Sequence, residues 1–300
     1  MASNMRPRRS ALFIPGSNER ALEKGKTIAA DVLILDLEDS VSPDRKDAAR
    51  EAVAAAVSGL ATGRREIVVR INGLDTPWIA RDIAAMAAVQ PDAILVPKLS
   101  RVDDIRRTRT AFSAANAPKA MNLWAMIETP AAVLNADAIG AIAAMPAPAV
   151  SCYVIGTNDL AAELGARIQP GRAALVPGLA QIVLAARAHG IAVLDGTFND
   201  LDDKLGLRTE CDQGRDLGMD GKTLIHPTQV PIANEAFAPS QEEVAWARQV
   251  VEGFAAPDNS GRGVITVGGR MVERLHERIA RRILETSEAV AAMHAEEWSA

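Results

Sequence analysis

Three hundred residues, 48% hydrophobic and 24% charged, suffice for one large buried core, and barrels of parallel strands and helices reach this length as a single unit. A net charge of -5 with 3% aromatic residues lacks the basic face and stacking rings of a nucleic-acid binder, and no apolar run reaches membrane-spanning length. Cys152 and Cys211 form neither a metal pair nor a disulfide framework, so they read as packing residues of a chain in a reducing, cytoplasmic setting.

The chain opens with Arg6, Arg8 and Arg9 and no apolar segment behind them, a basic arm rather than a secretory signal. Eight short apolar runs then alternate with Ala-rich stretches of helical spacing: residues 11–14, 32–37, 67–71, 93–96, 123–127, 150–155, 191–194 and 222–225. Continuous rather than alternating apolarity marks strands covered on both faces, and eight of them close a barrel. Ser42 before Pro43 predicts a capped helix over 44–58, and Thr129 before Pro130 another over 131–144. A third, over 181–189, ends at Gly190. The prediction is an α/β fold, a (β/α)8 TIM barrel over residues 1–238. An extension over 239–300 follows, with a helix at 240–255, a linker at 257–263, a short strand at 264–267 and a charged helix at 270–292.

Barrel enzymes carry their reacting groups on the C-terminal ends of the strands. Here those ends present Asp36, Glu38 and Asp39 after run two, Arg70 and Asn72 after run three, and Lys98 after run four. Glu128 follows run five, Asp159 run six, Asp195 run seven and His226 run eight. So many acids at one mouth repel one another unless a cation neutralises them. Glu128 and Asp159 end neighbouring strands with no Cys or His cluster nearby. All-oxygen ligation of that kind points to Mg2+, with Mn2+ as the substitute, and such a site can chelate a 2-oxo acid. Plainer roles stand beside this one. Asp159 can cap a helix starting at Leu160, Glu128 can pair with Arg70, and Glu38 and Asp39 can be rim charges or dipole partners of the helix after Pro43. His226 before Pro227 reads as an end cap.

In this order the segments RSALFIPG (9–16), LILDLED (33–39), VRIN (69–72), IETP (127–130), GTNDL (156–160) and GMDGKTLIHP (218–227) resemble the citrate lyase β-subunit and malyl-CoA lyase family, within the HpcH/HpaI aldolase superfamily. The resemblance implies a magnesium-dependent carbon–carbon lyase that cleaves or forms 3-hydroxyacyl thioesters of malyl-CoA or citramalyl-CoA type. It implies Mg2+ on Glu128 and Asp159, with Glu38 and Asp39 holding metal-bound waters. Arg70 would face the thioester oxygen, and Arg9 and Lys24 would grip the nucleotide end of coenzyme A. Family members also carry a lid acid supplied across a trimer interface. Here that stretch is VITVGGRMVE (264–273), with Glu273 where an aspartate is usual and Arg274-Leu275 in place of a small residue and proline. Glu273 is therefore expected either as the acid–base group or as a solvated residue of the last helix. A homotrimer or dimer of trimers is the implied assembly.

Four other activities fit the same site. A thioesterase or an enzyme acting on a carrier-protein citryl thioester would use the same carbonyl. A free 2-oxo-acid aldolase would need no coenzyme A pocket, and a non-catalytic metal-binding subunit would tolerate the altered lid.

Overall fold

The computed structural model describes residues 6–61, 64–143 and 149–297, with side chains through residue 293. The first five residues of the basic arm and Ala144, the last residue of the helix expected over 131–144, lie outside the described residues.

Residues Arg8–Phe237 form one compact unit, and residues 238–297 belong to a second. The first unit runs β1 (Ser10–Pro15), α1 (Glu19–Gly25), β2 (Val32–Asp36), α2 (Lys46–Leu60), β3 (Glu66–Arg70), α3 (Ile79–Val89), β4 (Ala93–Val96) and α4 (Val102–Ala114). It continues with β5 (Asn122–Ile127), α5 (Pro130–Ala141), β6 (Val150–Ile155), α6 (Thr157–Leu164), α7 (Val176–Ala188), β7 (Ala192–Asp195), α8 (Lys204–Asp216), β8 (Gly221–Leu224) and α9 (Val230–Phe237). The strands are parallel, pair in chain order and close through β1–β8, a (β/α)8 TIM barrel.

Two sets of apolar side chains explain the unbroken runs. Ala11, Val32, Ile34, Val68, Leu95, Trp124, Met126, Cys152, Val154 and Leu194 fill the interior. Their alternating neighbours, such as Leu33, Leu35, Ile67, Val69 and Ile94, pack outward against the helices. A strand covered on both faces keeps apolar residues at both parities.

Helix starts differ from expectation in one instructive case. Thr129 caps α5 through Ala132 N–H at 3.0 Å, with Pro130 at the first position. Ser42 makes no side-chain cap; Pro43–Arg45 form a 3-10 turn and α2 begins at Lys46. The buried Lys46 ammonium instead donates to the carbonyls of Leu37 (2.8 Å) and Glu38 (2.7 Å), tying α2 to the loop after β2. α7 starts at Val176, earlier than expected, and Gly190 beyond its end takes the left-handed φ of 69°.

The second unit contains α10 (Gln241–Ala255), capped by Ser240, then β9 (Val264–Val267), β10 (Arg270–Glu273) and α11 (Arg274–Glu297). The helix expected to begin at residue 270 thus begins at 274. The four residues before it pair antiparallel with β9. Gly268 and Gly269, both at positive φ (56° and 76°), make the two-residue turn that a hairpin of this hand needs. Phe254, Ile265, Val272 and Ala280 share a small core. Among the described residues no helix is long and apolar enough to cross a membrane.

Candidate active site

The carboxyl ends of the barrel strands surround a cavity of about 420 Å³, lined by Phe13, Asp36, Asp39, Arg70, Met126, Gly156, Asp159, Thr197, Asn199 and Thr223 among others. Its polar framework begins with a clamp. Arg70 at the end of β3 lies beside Asp36 at the end of β2, because these residues are register partners. Its Nε and Nη2 donate to the two Asp36 oxygens at 2.6 and 2.7 Å. Burial raises the Asp36 pKa, but the adjacent guanidinium outweighs it and holds the carboxyl below its ordinary range. The Asp36 oxygens also accept the N–H groups of Glu38 and Ser40, so the same carboxylate shapes the β2–α2 loop. Phe13 supports the guanidinium from its face, 4.7 Å away.

With Nε and Nη2 committed, Nη1 of Arg70 turns to Glu38 at 3.1 Å, with Asp39 farther off at 3.7 Å. Glu38 is buried, and its second oxygen meets Lys98 Nζ at 3.1 Å. Burial and the nearby Asp39 charge push its pKa upward against the pull of Arg70 and Lys98. Asp39 is exposed. Glu38 is therefore tied into the polar framework by Arg70 and Lys98, and Asp39, though exposed, lines the cavity itself.

Glu128, at the end of β5, is 1% exposed. It makes no ion pair with Arg70; its Oε1 accepts the Lys98 backbone N–H at 2.6 Å. Lys98 adopts a left-handed φ of 57°, unusual for a lysine and a form of strain that clusters at functional sites. That turn lets one residue serve both acids, Glu128 through its backbone and Glu38 through its ammonium. On the other side Gly156 presses against Glu128, where a Cβ would fall 2.6 Å from Oε2. Burial, followed by the charges of Asp159 and Glu38, raises the Glu128 pKa to about 7.

Asp159 lies in the first turn of α6, which starts at Thr157 with Gly156 as N-cap, so Asp159 does not cap a helix beginning at Leu160. It is half-buried and lines the cavity. Among the described residues no three Asp, Glu, His or Cys side chains converge as metal ligands. Two carboxylates are what magnesium commonly takes from a protein, with waters and substrate oxygens in its other positions. The Glu128 carboxyl, its pKa raised first by burial and then by the charges of Asp159 and Glu38, fits such a cation.

The remaining sequence candidates fall elsewhere. Arg9 is a correction: it precedes β1, at the opposite end of the barrel. Its buried guanidinium is taken up by Asp31, with Nε and Nη2 each at 2.8 Å. Lys24 also belongs to that end, since Arg65, just before β3, donates to the carbonyl of the adjoining Gly25 at 3.0 Å. Neither reaches the cavity. Asn72 is buried and braced by Asp82 at 2.6 Å. His226 is the expected cap, its Nδ1 accepting from Thr228 N–H at 3.3 Å. Cys152 and Cys211 are free, buried packing residues, and burial pushes the Cys211 thiol up to about 12. Glu273 is exposed at the end of β10, where its N–H donates to His276 Nδ1 at 2.9 Å.

Sequence reasoning missed two contributors. Asp36 reads as a strand-end acid like its neighbours, and only strand register shows it to be the partner of Arg70. Gly156 carries a signal, a glycine between an apolar run and a helix-opening Thr-Asn-Asp, where close backbone approach is common.

Residues 9–227 match the family described as HpcH/HpaI aldolase/citrate lyase. A (3S)-malyl-CoA thioesterase of Cereibacter sphaeroides is 47% identical over 98% of this chain and 100% of its own. An L-malyl-CoA/beta-methylmalyl-CoA lyase of the same organism is 35% identical over 96% of each chain. Among solved structures, the protein CitE from Mycobacterium tuberculosis, in complex with magnesium, acetoacetate and coenzyme A, superposes with a TM-score of 0.75 at 31% identity. That match covers 95% of this chain and 99% of that one.

Proposed function

We propose, from the premise that this chain belongs to the HpcH/HpaI aldolase/citrate lyase family and is an enzyme of that lyase family, that it acts on a malyl-type coenzyme A thioester. In this reading magnesium is held by Glu128 and Asp159, and thioester hydrolysis is the net reaction. One observation carries the metal-assisted thioester chemistry: the Arg70 guanidinium and the Asp159 carboxylate line one cavity, and the Asp159 charge acts on Glu128, whose pKa burial has already raised. Hydrolysis as the outcome is supported by the 47% identity, over the full length, to malyl-CoA thioesterases.

Bound there, magnesium supplies Lewis-acid polarisation of substrate oxygens. The chain's own residues do the rest. Arg70, fixed by Asp36 and paired through Nη1 with Glu38, presents its positive charge to the cavity in which a thioester oxygen gains negative charge. Such preorganised donors contribute because they need no rearrangement as charge develops. Glu38, held between Arg70 and Lys98 with its pKa raised, accepts a proton from the attacking water and returns it to the leaving thiolate. Water oxygen adds to the carbonyl carbon, the carbon–sulfur bond breaks, and free acid and thiol result. Glu273 stands as the acid–base candidate of the C-terminal unit. A homotrimer in a cytoplasmic setting belongs to the same proposal.

The same site supports a second reading, carbon–carbon cleavage, favoured by the family match and the 35% relatives. Incubation with malyl-CoA and Mg2+ separates the two. Hydrolysis yields equal amounts of free thiol and malate; cleavage yields acetyl-CoA and glyoxylate without free thiol. Turnover to neither pair removes both readings.

A pH dependence follows from Glu128. Magnesium needs its carboxylate, and protons compete for it below a pKa of about 7. The expected result is a magnesium affinity flat above that pH and falling by about tenfold per unit beneath it, read by calorimetry. A constant affinity from about pH 5.5 to 8.5 would remove Glu128 as a ligand.

A further inference from the structure

Behind the site lies a knot of buried charge that the chemistry above leaves unused. Asp195 at the end of β7 and Lys222 in β8 are register partners, and neither has exposed surface. Leu194 faces the barrel interior, so by parity Asp195 faces outward, under α8. Arg172, also buried, donates Nη1 to Asp195 at 2.7 Å. Glu210 of α8 accepts from Lys222 Nζ at 2.5 Å and lies 3.3 Å from Arg172. Two cations thus meet two anions. Hydrophobic replacements for such groups are often neutral or stabilising, so a barrel alone has little need of them.

What the knot does hold is the Gly196 peptide. Its N–H donates to Asp195 Oδ1 at 2.8 Å, and its carbonyl accepts from Lys222 Nζ at 2.6 Å. Gly196 opens the loop into α8 and packs on α6, where a Cβ would fall 2.3 Å from Thr157 Oγ1. Two further loop residues, Thr197 and Asn199, line the cavity. Asn199 Nδ2 donates to Asn158 Oδ1 at 2.9 Å, and Asn158 Nδ2 reaches Thr197 Oγ1 at 3.4 Å. Asn158 lines the cavity beside Asp159.

We propose that Lys222 is a positioning residue for substrate recognition. Through the Gly196 peptide it fixes Thr197 and Asn199, with Asn158, as an uncharged wall that hydrogen-bonds the hydroxyl and carboxylate oxygens of the bound acid. The inference rests on the cavity being the acid-binding site of the proposed function. Lys222 itself touches no substrate.

The test uses the full chain and a Lys222→Met/Glu210→Gln variant, which removes one charge of each sign. Calorimetry with Mg2+ alone, then with malate in the presence of Mg2+, reads two affinities. The expected result is unchanged Mg2+ affinity and a loss of about tenfold for malate, since small misplacements of contacting groups carry such penalties. Adding Asn199→Ala to that variant is expected to cost less than about twofold more, because both changes act through one contact. An undiminished malate affinity, or losses that multiply in full, overturns the proposal. Gly196→Ala disturbs the loop from its α6 side and gives the same reading should the double variant not fold. Failure of the wild-type protein to bind malate with Mg2+ would sink the functional reading itself, whereas unimpaired binding by the variants sinks only the role of Lys222.

Discussion

Glu128→Gln is expected to lose Mg2+-dependent turnover by roughly 10³-fold or more while the protein becomes no less stable. The two halves of that result have one cause. In the native site Glu128 is buried, and its pKa is raised first by burial and then by Asp159 and Glu38. A folded-state pKa above the unfolded value means that the ionised carboxylate opposes folding at neutral pH, and this cost fades as the group protonates below about 7. Glutamine keeps the oxygen that accepts the Lys98 N–H and discards the charge. Thermal unfolding without metal should show an equal or higher Tm, at about 2–4 °C per kcal/mol for a chain of this size. Steady-state rates and Mg2+ calorimetry on the same preparation check the other half. A lower Tm together with retained activity would make Glu128 an ordinary structural acid.

Arg70→Lys should lower kcat by about 10²–10³-fold with a smaller change in KM, because lysine keeps the charge but loses the two-pronged hold on Asp36 that fixes its position. Arg70→Ala confounds this by stranding Asp36, which is 1% exposed. Removing one partner of a buried pair costs about 3–5 kcal/mol, and chemical denaturation should show it. The double variant Arg70→Ala/Asp36→Asn is expected to recover most of that stability and none of the rate. Recovery of rate would mean that Arg70 acts only as a structural counter-ion. An effect confined to KM in Arg70→Lys would assign it to ground-state binding.

The barrel was legible because a parallel strand buried on both faces writes its position as an unbroken apolar run, with ends uncertain by a residue. The same reading located Arg70, Glu38, Glu128 and Asp159, since strand ends point to one mouth. It failed where long-range pairing decides the role. Arg9 precedes β1 and so stands at the amino end of the barrel, and its bond to Asp31 shows that its guanidinium is held there. Lys222 was read within an apolar run, although its ammonium is anchored by Asp195 and Glu210 from distant parts of the chain. Residues 270–273 were read as helix because the charged stretch beyond them is one; the Gly268-Gly269 pair before them was the overlooked hairpin signal.

The left-handed backbone at Lys98 has a consequence for how this enzyme can change. Glycine suits that conformation better than lysine, so selection for heat tolerance alone would favour its arrival there. The same change would erase the ammonium beside Glu38 while leaving the amide that contacts Glu128 in place. Durability and chemistry thus compete for a single codon, and laboratory evolution toward robustness should be screened for catalysis at every round.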